Sequence, residues 1–207
     1  ESVNIVRSMM VRFGECLAKL IIPNHRAAQI SFIKRQHALV IGSPGAGKST
    51  FARQLSQISS IPLFHLDKEY WQEGWIAPSA EEWQQKLSTL TNQSSWIIDG
   101  NYGSSLSQRL EKADTVIHLY IPTYICLFQA IIRITKWHGK QRPDMALGCY
   151  EKINFDFLRQ IIKYRKYQFK KDKLLLDDFD GNYIQLTSRT AIKVFLQKIA
   201  HGNKHNH

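Results

Sequence analysis

The sequence contains little cysteine and no long uninterrupted run of apolar residues. The three cysteines among its 207 residues are Cys16, Cys126 and Cys149. Because none of them forms a CxxC pair, the sequence supports neither a disulfide framework nor a zinc ribbon, and it favours reduced thiols in a cytoplasmic protein. The longest apolar stretch, residues 123–137, carries Arg133 and Lys136. It is shorter than the ~18 residues that a membrane-spanning helix needs.

Acidic residues are also scarce. The chain has 17 Asp and Glu against 28 Lys and Arg, which gives a formal net charge of +11. Such an excess indicates a polyanionic partner, whether nucleotide phosphates, nucleic acid or acidic lipid, and does not choose among them. Hydrophobic residues make up 43% of the chain, which is enough to form one core, and the length suits one domain.

Short apolar runs alternate with helical patterns over most of the chain. Strands are predicted at residues 37–43, 61–66, 95–100, 115–121 and 182–188, and helices at residues 48–58, 79–90, 105–113, 123–139, 154–172 and 189–200. Strands that alternate with helices indicate a parallel sheet that is covered on both faces. The sequence therefore predicts a three-layer α/β domain over residues 37–200, followed by a disordered, histidine-containing tail at residues 201–207.

Residues 1–36 precede this domain and contain an amphipathic pattern. Apolar side chains recur at steps of three and four at Val3, Val6, Met10, Phe13, Leu17 and Leu20. This spacing predicts a helix over residues 3–21. We expect the helix to pack on the body of the domain. The alternative is that it binds a membrane surface or a protein partner.

Residues Gly42 to Ser49 match the phosphate-binding motif G-x-x-x-x-G-K-[ST] and lie between a predicted strand and a predicted helix. The glycines of this motif allow the backbone N–H groups to surround a polyphosphate at the positive end of the helix. We expect Lys48 to reach the β- and γ-phosphates and Ser49 to bind Mg²⁺. The predicted nucleotide-binding residues are Gly42, Ser43, Pro44, Gly45, Ala46, Gly47, Lys48, Ser49 and Thr50.

Two aspartates follow neighbouring predicted strands. Asp67 comes after the second strand and Asp99 ends the third. Because the carboxyl ends of parallel strands face the ligand crevice, both should lie near the phosphate-binding loop. We expect Asp99 to hold Mg²⁺ through water and Asp67 to orient or deprotonate a substrate hydroxyl. The aromatic residues nearby would either stack on a nucleobase or sugar or wall the cleft: Tyr70, Trp71, Trp75 and Tyr102.

Most of the excess positive charge lies in one segment. Between Arg133 and Lys173 there are twelve Lys and Arg against four Asp and Glu, a local net charge of +8. We expect Arg133 and Arg142 to close over the transferring phosphoryl group as part of a short lid at residues 133–150. The basic helix at residues 154–173 either binds nucleic acid or presents a solvated face with its aromatic residues turned to the core.

Four ordered stretches carry a resemblance to a known family: "GSPGAGKST", "PLFHLDKEYWQEGW", "WIIDGNY" and "GKQRPDMALGCYEK". Residues 37–200 resemble the adenylate-kinase-related P-loop proteins of the DNA topology modulation (FlaR-type) family. The resemblance implies a nucleotide-kinase fold with strand order 2-3-1-4-5, and ATP or GTP with Mg²⁺ in the loop Gly42–Ser49. True adenylate kinases carry D-G-x-P-R after the third strand, whereas this chain has "DGNYG".

Two hypotheses of function follow. The first is a cytoplasmic P-loop kinase in which Lys48, Asp67, Arg133 and Arg142 transfer a phosphoryl group to a small hydroxyl or phosphate acceptor, with Mg²⁺ held by Ser49 and Asp99. The second is a regulatory, nucleic-acid-associated nucleotide-binding protein with little turnover. The second hypothesis differs in predicting nucleic-acid binding that weakens steeply as the salt concentration rises.

Overall fold

A computed structural model describes residues 36–151 and 153–204 of the chain. The predicted helix at residues 3–21 lies outside these ranges, as do residues 205–207 of the predicted tail. Among the helices of the described residues, none combines the length and the hydropathy that are needed to cross a membrane.

The centre of the molecule is a five-stranded sheet whose strand pairs are all parallel. The strands are β1 (His37–Gly42), β2 (Leu63–His65), β3 (Trp96–Asp99), β4 (Thr115–Leu119) and β5 (Asn182–Leu186). Their order across the sheet is β2-β3-β1-β4-β5. The predicted α/β class, the number of strands and the order 2-3-1-4-5 are all confirmed.

Helices cover both faces of the sheet. They are α1 (Lys48–Ser59), α2 (Leu66–Tyr70), α3 (Ala80–Thr91), α4 (Leu106–Leu110), α5 (Thr123–Trp137), α6 (Phe155–Lys163), α7 (Phe169–Asp177) and α8 (Arg189–Lys204). Short 3-10 turns occur at Glu73–Trp75 and Gly103–Ser105, and a π-helical turn at Tyr164–Gln168 joins α6 to α7. A capping box begins α3, since Ser79 accepts from the Glu82 N–H and the Glu82 carboxylate accepts from the Ser79 N–H.

Several boundaries differ from the sequence predictions, and two of the differences change an expected element. Helix α8 continues past the expected end at Ala200 to Lys204, so residues 201–204 of the expected disordered tail are helical. The last fully buried side chain before this extension is that of Ile199, at 1% exposed. The second predicted strand has only three residues, because the chain turns into α2 at Leu66, whose side chain is fully buried.

Alternating strand residues supply the two halves of the core. Ala38, Val40, Ile97 and Ile117 pack on one face of the sheet with Phe51 and Leu55 of α1 and Phe195 of α8. Their neighbours Leu39, Ile41, Ile98 and Val116 pack on the other face with Trp83 and Leu87 of α3. Each fully buried leucine or isoleucine contributes about 1.5–3 kcal/mol relative to exposure. Burial on both faces explains the continuous apolar runs that predicted these strands.

An irregular segment, which we call the 138–151 loop, follows α5. It contains an antiparallel bridge between Gln141 and Tyr150. Its buried residues Met145, Ala146 and Cys149 pack against Trp71 and Trp75, which lie in the connection between α2 and α3. The Cys149 thiol also donates to the Gln72 carbonyl at 3.3 Å. The loop therefore covers the ends of β2 and β3, where the predicted site lies.

Candidate functional site

The phosphate-binding loop connects β1 to α1 and has the backbone that its glycines predict. Gly45 and Gly47 have φ values of 78° and 86°, which favour glycine. Gly47 is the N-cap of α1, and neither a side-chain cap nor an acidic residue neutralises the first turn of this helix. The amino end of α1 therefore retains the unpaired N–H groups and positive dipole that bind anions.

The side chain of Lys48 forms hydrogen bonds with the backbone of the phosphate-binding loop. Its Nζ donates to the carbonyl oxygens of Gly42 and Ser43, at 3.0 and 3.1 Å. Burial lowers the pKa of Lys48, while the carboxylates of Asp99 and Asp67 oppose this shift. A phosphate bound here would offer Nζ charged acceptors in place of two neutral carbonyls, and charge-assisted hydrogen bonds are the stronger kind.

Asp67 is the second residue of α2, directly after β2. The Asp67 side chain is exposed to the open cavity, but the protein atoms that surround its carboxyl desolvate it and raise its pKa, and the nearby charge of Asp99 raises that pKa further. The hydroxyl of Tyr102 donates to Asp67 Oδ1 at 2.9 Å and, together with Lys48, opposes the increase. The raised pKa makes the carboxylate a better proton acceptor, which is what a general base requires.

Asp99 ends β3 and is 4% exposed. His65 Nδ1 lies 2.9 Å from its Oδ2, whereas its Oδ1 is buried and has no hydrogen-bond partner among the described residues. A buried carboxylate oxygen without a partner is costly unless an ion or an ordered water satisfies it. Oxygen ligands of this kind, kept with several waters, are what Mg²⁺ prefers, so Asp99 fits the predicted role beside the Ser49 hydroxyl.

The loop after β3 is tied to the phosphate-binding loop. The side chain of Asn101 accepts from the Gly42 N–H at 3.0 Å and donates to the Gly42 carbonyl at 2.8 Å. The fully buried Arg109 of α4 donates to the carbonyls of Gly100 and Tyr102, each at 3.0 Å, and also to that of Asn101. These contacts fix Asp99 and Tyr102 relative to the nucleotide-binding loop.

The two predicted lid arginines are paired with carboxylates. Arg142 places its Nε 2.8 Å from Glu151 Oε2 and a terminal nitrogen 3.3 Å from Asp144 Oδ2. Arg133 lies 3.5 Å from the other oxygen of Glu151, and its guanidinium stacks on the ring of Phe157 with 4.5 Å to the centroid. Arg133 belongs to the regular helix α5, so the irregular part of the predicted lid begins only after Trp137.

One cavity of about 730 Å³ brings most of the predicted residues together. It is lined by Pro44, Gly45, Gly47, Lys48, Ser49, Thr50, Asp67, Trp71, Trp75, Asp99, Tyr102, Arg133 and Arg142, among others. The remaining loop residues Gly42, Ser43 and Ala46 are buried beneath it. Of the four aromatics, Tyr70 does not line the cavity and instead packs edge-on against Trp83, with 4.9 Å between the ring centroids.

Four residues that sequence reasoning missed shape this site: Asn101, Arg109, Asp144 and Glu151. The "DGNYG" stretch signalled Asn101 only as a departure from the adenylate-kinase motif. Asp144 and Glu151 could have been singled out as two of the four acids in the basic segment, since an acid among many cations is a natural ion-pair partner. Nothing in the local pattern distinguishes Arg109 from a surface arginine.

The basic segment after the lid divides by burial. Its lysines are exposed at Lys163, Lys166, Lys170, Lys171 and Lys173. Tyr164 is buried, with its hydroxyl 3.1 Å from His118 Nε2, and the ring of Phe169 packs on His118. Only Tyr167, at 57% exposed, faces solvent among the three interleaved aromatics. Tyr164 is thus buried and Phe169 is partly buried against His118, while the lysines of this segment face solvent.

The chain is similar to known kinases, although no family model matches it. A shikimate kinase from Rhodococcus jostii (strain RHA1) is 35% identical over 99 residues, which is 41% of this chain and 58% of that protein. The structure of a shikimate kinase from Acinetobacter baumannii in complex with shikimate aligns with a TM-score of 0.53 and 17% identity, over 86% of this chain and 98% of that one. A deoxyadenosine kinase from M. mycoides with bound dATP aligns with a TM-score of 0.45 and 17% identity, over 82% of this chain and 100% of that one.

The chain spans less than two thirds of the length of the curated relative that it matches. The structural alignment covers nearly all of the Acinetobacter enzyme and shows the fold alone, because the identity is low. Together with the five-stranded parallel sheet and the phosphate-binding loop, it shows that residues 36–151 and 153–204 share the fold of that enzyme.

Proposed function

We propose that this chain is a P-loop kinase that transfers the γ-phosphoryl group of ATP or GTP to a small acceptor. The observation that carries the proposal is a cavity that is lined together by the phosphate-binding loop, Lys48, Ser49, Asp67, Asp99 and two arginines. This set supplies both requirements of phosphoryl transfer, namely electrostatic stabilisation of the phosphates and a base for the attacking hydroxyl. The similarity to shikimate kinases supports the same class of reaction.

Each residue has a role in this reaction. The N–H groups at the start of α1 and the Lys48 ammonium bind the β- and γ-phosphates. The acceptor oxygen forms a bond to the γ-phosphorus, the bond between that phosphorus and the nucleoside diphosphate breaks, and the acceptor proton passes to Asp67. Ser49 and Asp99 would hold Mg²⁺, which neutralises charge on the phosphate oxygens when it is bound.

Arg133 and Arg142 are proposed to stabilise the transferring group. Both line the cavity, and both are paired with Glu151 in this structure. A phosphoryl group carries more negative charge than a carboxylate and offers three acceptor oxygens. We therefore infer that bound nucleotide competes with Glu151 for the two guanidinium groups.

Nucleotide binding can be tested by titration calorimetry with Mg·ATP and Mg·GTP. The wild type should bind at least one of them, and Lys48→Ala should weaken binding at least tenfold. Lys112→Ala is the matched control, because Lys112 is exposed and lies outside the cavity lining. Equal binding by Lys48→Ala and wild type would contradict the proposal.

Turnover can be tested by measuring nucleoside diphosphate release with a panel of nucleosides, nucleotides and small alcohols. An acceptor should accelerate release by the wild type, and Asp67→Asn should reduce this rate by about 10²–10⁴-fold, the usual contribution of a general base. Rates that are identical for wild type and Asp67→Asn would exclude Asp67 from the proton transfer.

A second candidate function is a nucleotide-binding protein that associates with nucleic acid and has little turnover. It is favoured by the exposed lysines of the segment from α6 to α7 and by the exposed ring of Tyr167. The logarithm of the binding constant for nucleic acid should then fall linearly with the logarithm of the salt concentration. Charge reversal at Lys166, Lys170 and Lys171 should then abolish it, and unchanged binding would eliminate this candidate.

Several sequence-based expectations stay predictions. They are the relationship to the DNA topology modulation (FlaR-type) family, the cytoplasmic location, and the role of residues 3–21 in packing or in contact with a membrane or protein. Co-sedimentation with liposomes, compared between the full chain and a chain without residues 1–30, would test the membrane alternative.

A further inference from the structure

The charges that line the cavity are unevenly divided between its two sides. Lys48 and the amino end of α1 make the nucleotide side positive. We define the acceptor side as Asp67 together with the lining residues of the 138–151 loop and of the Trp71 and Trp75 connection that it packs on, namely Trp71, Trp75, Arg142, Asp144 and Met145. Its carboxylates outnumber its single cation.

That cation is already neutralised. Arg142 is 9% exposed and lies between Glu151, at 2.8 Å, and Asp144, at 3.3 Å. Glu151 is 8% exposed and is shared with Arg133, at 3.5 Å. Arg133 and Arg142 are therefore ion-paired with two carboxylates, those of Asp144 and Glu151, before any acceptor binds. Among the described lining residues of the acceptor side, none is a cation without an anionic partner.

An anionic acceptor would be disfavoured at this side. Its carboxylate or phosphate would lie near Asp67 and Asp144. The transferring phosphoryl group already competes with Glu151 for Arg142, so an anionic acceptor would find no cation left to pair with and would remain beside two carboxylates. The same carboxylates are suitable acceptors for hydroxyl groups, because an ionised carboxylate accepts hydrogen bonds and donates none.

The remaining lining favours a molecule with an apolar face. The rings of Trp71 and Trp75 pack edge to face with 5.5 Å between their centroids, and Met145 packs against them. Aromatic walls of this kind bind the flat or apolar face of a ring while polar groups at the edge fix its orientation. Asp67 keeps one carboxylate oxygen for an acceptor hydroxyl while Tyr102 occupies the other.

We propose that the phosphoryl acceptor is an uncharged, ring-containing alcohol, a nucleoside or a neutral sugar, and neither a carboxylate nor a phosphate monoester. This inference rests on the proposed kinase function and specifies its acceptor. It also separates this chain from its similarity to shikimate kinases, since shikimate is a carboxylate. The acceptor is selected by carboxylates and aromatic rings, with Arg142 held back for the transferring phosphoryl group.

The experiment compares matched acceptors that differ in one charge, with Mg·ATP as donor. Suitable pairs are adenosine and AMP, glucose and gluconate, and methyl shikimate and shikimate. We expect the best acceptor of the panel to be neutral, with kcat/KM at least tenfold above that of its anionic partner. An anionic best acceptor, or equal rates within its pair, would overturn the inference.

Variants of the ion pairs provide the second readout. Asp144→Asn should release Arg142 in part, so the ratio of neutral to anionic kcat/KM should fall at least threefold. Asp156→Asn is the control, because Asp156 is an exposed carboxylate outside the cavity lining. Its ratio should equal that of the wild type. An unchanged ratio in Asp144→Asn, with a thermal unfolding curve like that of the wild type, would contradict the assignment.

Calorimetry with Mg·ATP on the same preparations separates the two proposals. If Mg·ATP binds and an anionic acceptor is preferred, the acceptor class is wrong and the kinase function stands. If Mg·ATP binds and no acceptor accelerates release of ADP, the acceptor assignment also fails. If the wild type binds no nucleotide, the kinase function itself is wrong.

Discussion

The carboxyl of Asp67 shows how burial and three neighbouring groups set the protonation of one side chain. Burial and the charge of Asp99 raise its pKa, whereas the hydrogen bond from Tyr102 and the charge of Lys48 lower it. On balance the pKa of Asp67 is raised, so its carboxyl is protonated more readily in the folded protein than in water. A base with a raised pKa is better matched to proton transfer near neutral pH than a carboxylate at its ordinary value.

Removing the hydroxyl of Tyr102 should move the pH profile of the reaction. Tyr102→Phe deletes the hydrogen bond that lowers the pKa of Asp67, so this pKa should rise. Because the base is active when ionised, the acid limb of kcat/KM should move to higher pH. Tyr70→Phe, which alters a neighbouring ring that does not line the cavity, should leave the limb in place. A limb that is unmoved in Tyr102→Phe, or moved to lower pH, would contradict this role.

Asp67→Asn should stabilise the fold while it removes activity. A carboxyl with a raised pKa in the folded state makes wild-type stability fall as pH rises from its ordinary value of 3.8 through the folded pKa. The asparagine variant lacks this loss, so its advantage should be absent at acidic pH, grow across that window and then stay constant. Urea unfolding at several pH values measures it, with Asp156→Asn as the control. An advantage that shrinks as pH rises would be incompatible with the raised pKa.

A functional residue can be predicted from the sequence when the residues that define its position are its neighbours along the chain. Lys48 and Ser49 belong to a contiguous motif, and the strand-end position of Asp67 and Asp99 follows from a short apolar run before each. Glu151 lies nine residues beyond Arg142 across an irregular loop, where no helical or strand periodicity places side chains. The ion pair that joins them therefore has no signature in the sequence.

At the scale of elements, the loop after β3 depends on one buried arginine. Arg109 donates to the carbonyls of Gly100, Asn101, Tyr102 and Ser105, so it replaces the backbone partners that a regular strand or helix would provide. Burial lowers the pKa of its guanidinium to about 10. It therefore remains charged near neutral pH, and its hydrogen bonds are of the stronger, charge-assisted kind.

Arg109→Met should destabilise the protein by about 3 kcal/mol or more, since several buried carbonyls would lose a charged donor at once. The measurement is urea unfolding of the variant beside wild type. Arg53→Met is the control, because Arg53 is exposed on α1, and surface substitutions usually change stability by less than about 0.5 kcal/mol. A similar, small effect of both substitutions would show that the loop does not depend on Arg109.

The segment from α6 to α7 marks the limit of prediction for an element. Its helical character was clear from the sequence, and its π-helical turn at Tyr164–Gln168 was not. The turn coincides with Tyr164, whose hydroxyl meets buried His118, and Tyr183 contacts the other ring nitrogen at 2.7 Å. Burial lowers the pKa of His118 to about 3, so the ring is neutral at physiological pH. These partners are far apart in sequence, which is why local periodicity could not place the turn.

For the whole molecule, the fold was largely predictable and the cavity only in part. Five apolar runs alternate with helical patterns, and this alternation alone favours a parallel sheet. The order of the strands came from the resemblance, because periodicity does not say which strands are neighbours. The 138–151 loop could not be placed, because its packing on Trp71 and Trp75 joins segments about seventy residues apart.

A ligand that contacts several of these distant segments should stabilise the whole fold. With Mg·ATP at 100 times its dissociation constant, the linkage is worth about 2.7 kcal/mol. For a domain of this size, that corresponds to a rise in Tm of roughly 5–10 °C. Lys48→Ala should lose most of the rise at the same nucleotide concentration, whereas Lys112→Ala should keep it. Equal shifts in all three proteins would place the nucleotide outside the proposed cavity.

The contact between Cys149 and Gln72 makes the 138–151 loop observable by thiol chemistry. Cys149 is 1% exposed and can react with an alkylating reagent only when the loop separates from the Trp71 and Trp75 connection. In a Cys16→Ser protein, the alkylation rate of Cys149 therefore measures how often the 138–151 loop opens. The buried Cys126 of α5 serves as an internal reference. Cys149 is thus a built-in reporter of the movement of this loop away from the cavity. Acceptors can be ranked by how much each of them lowers the alkylation rate of Cys149.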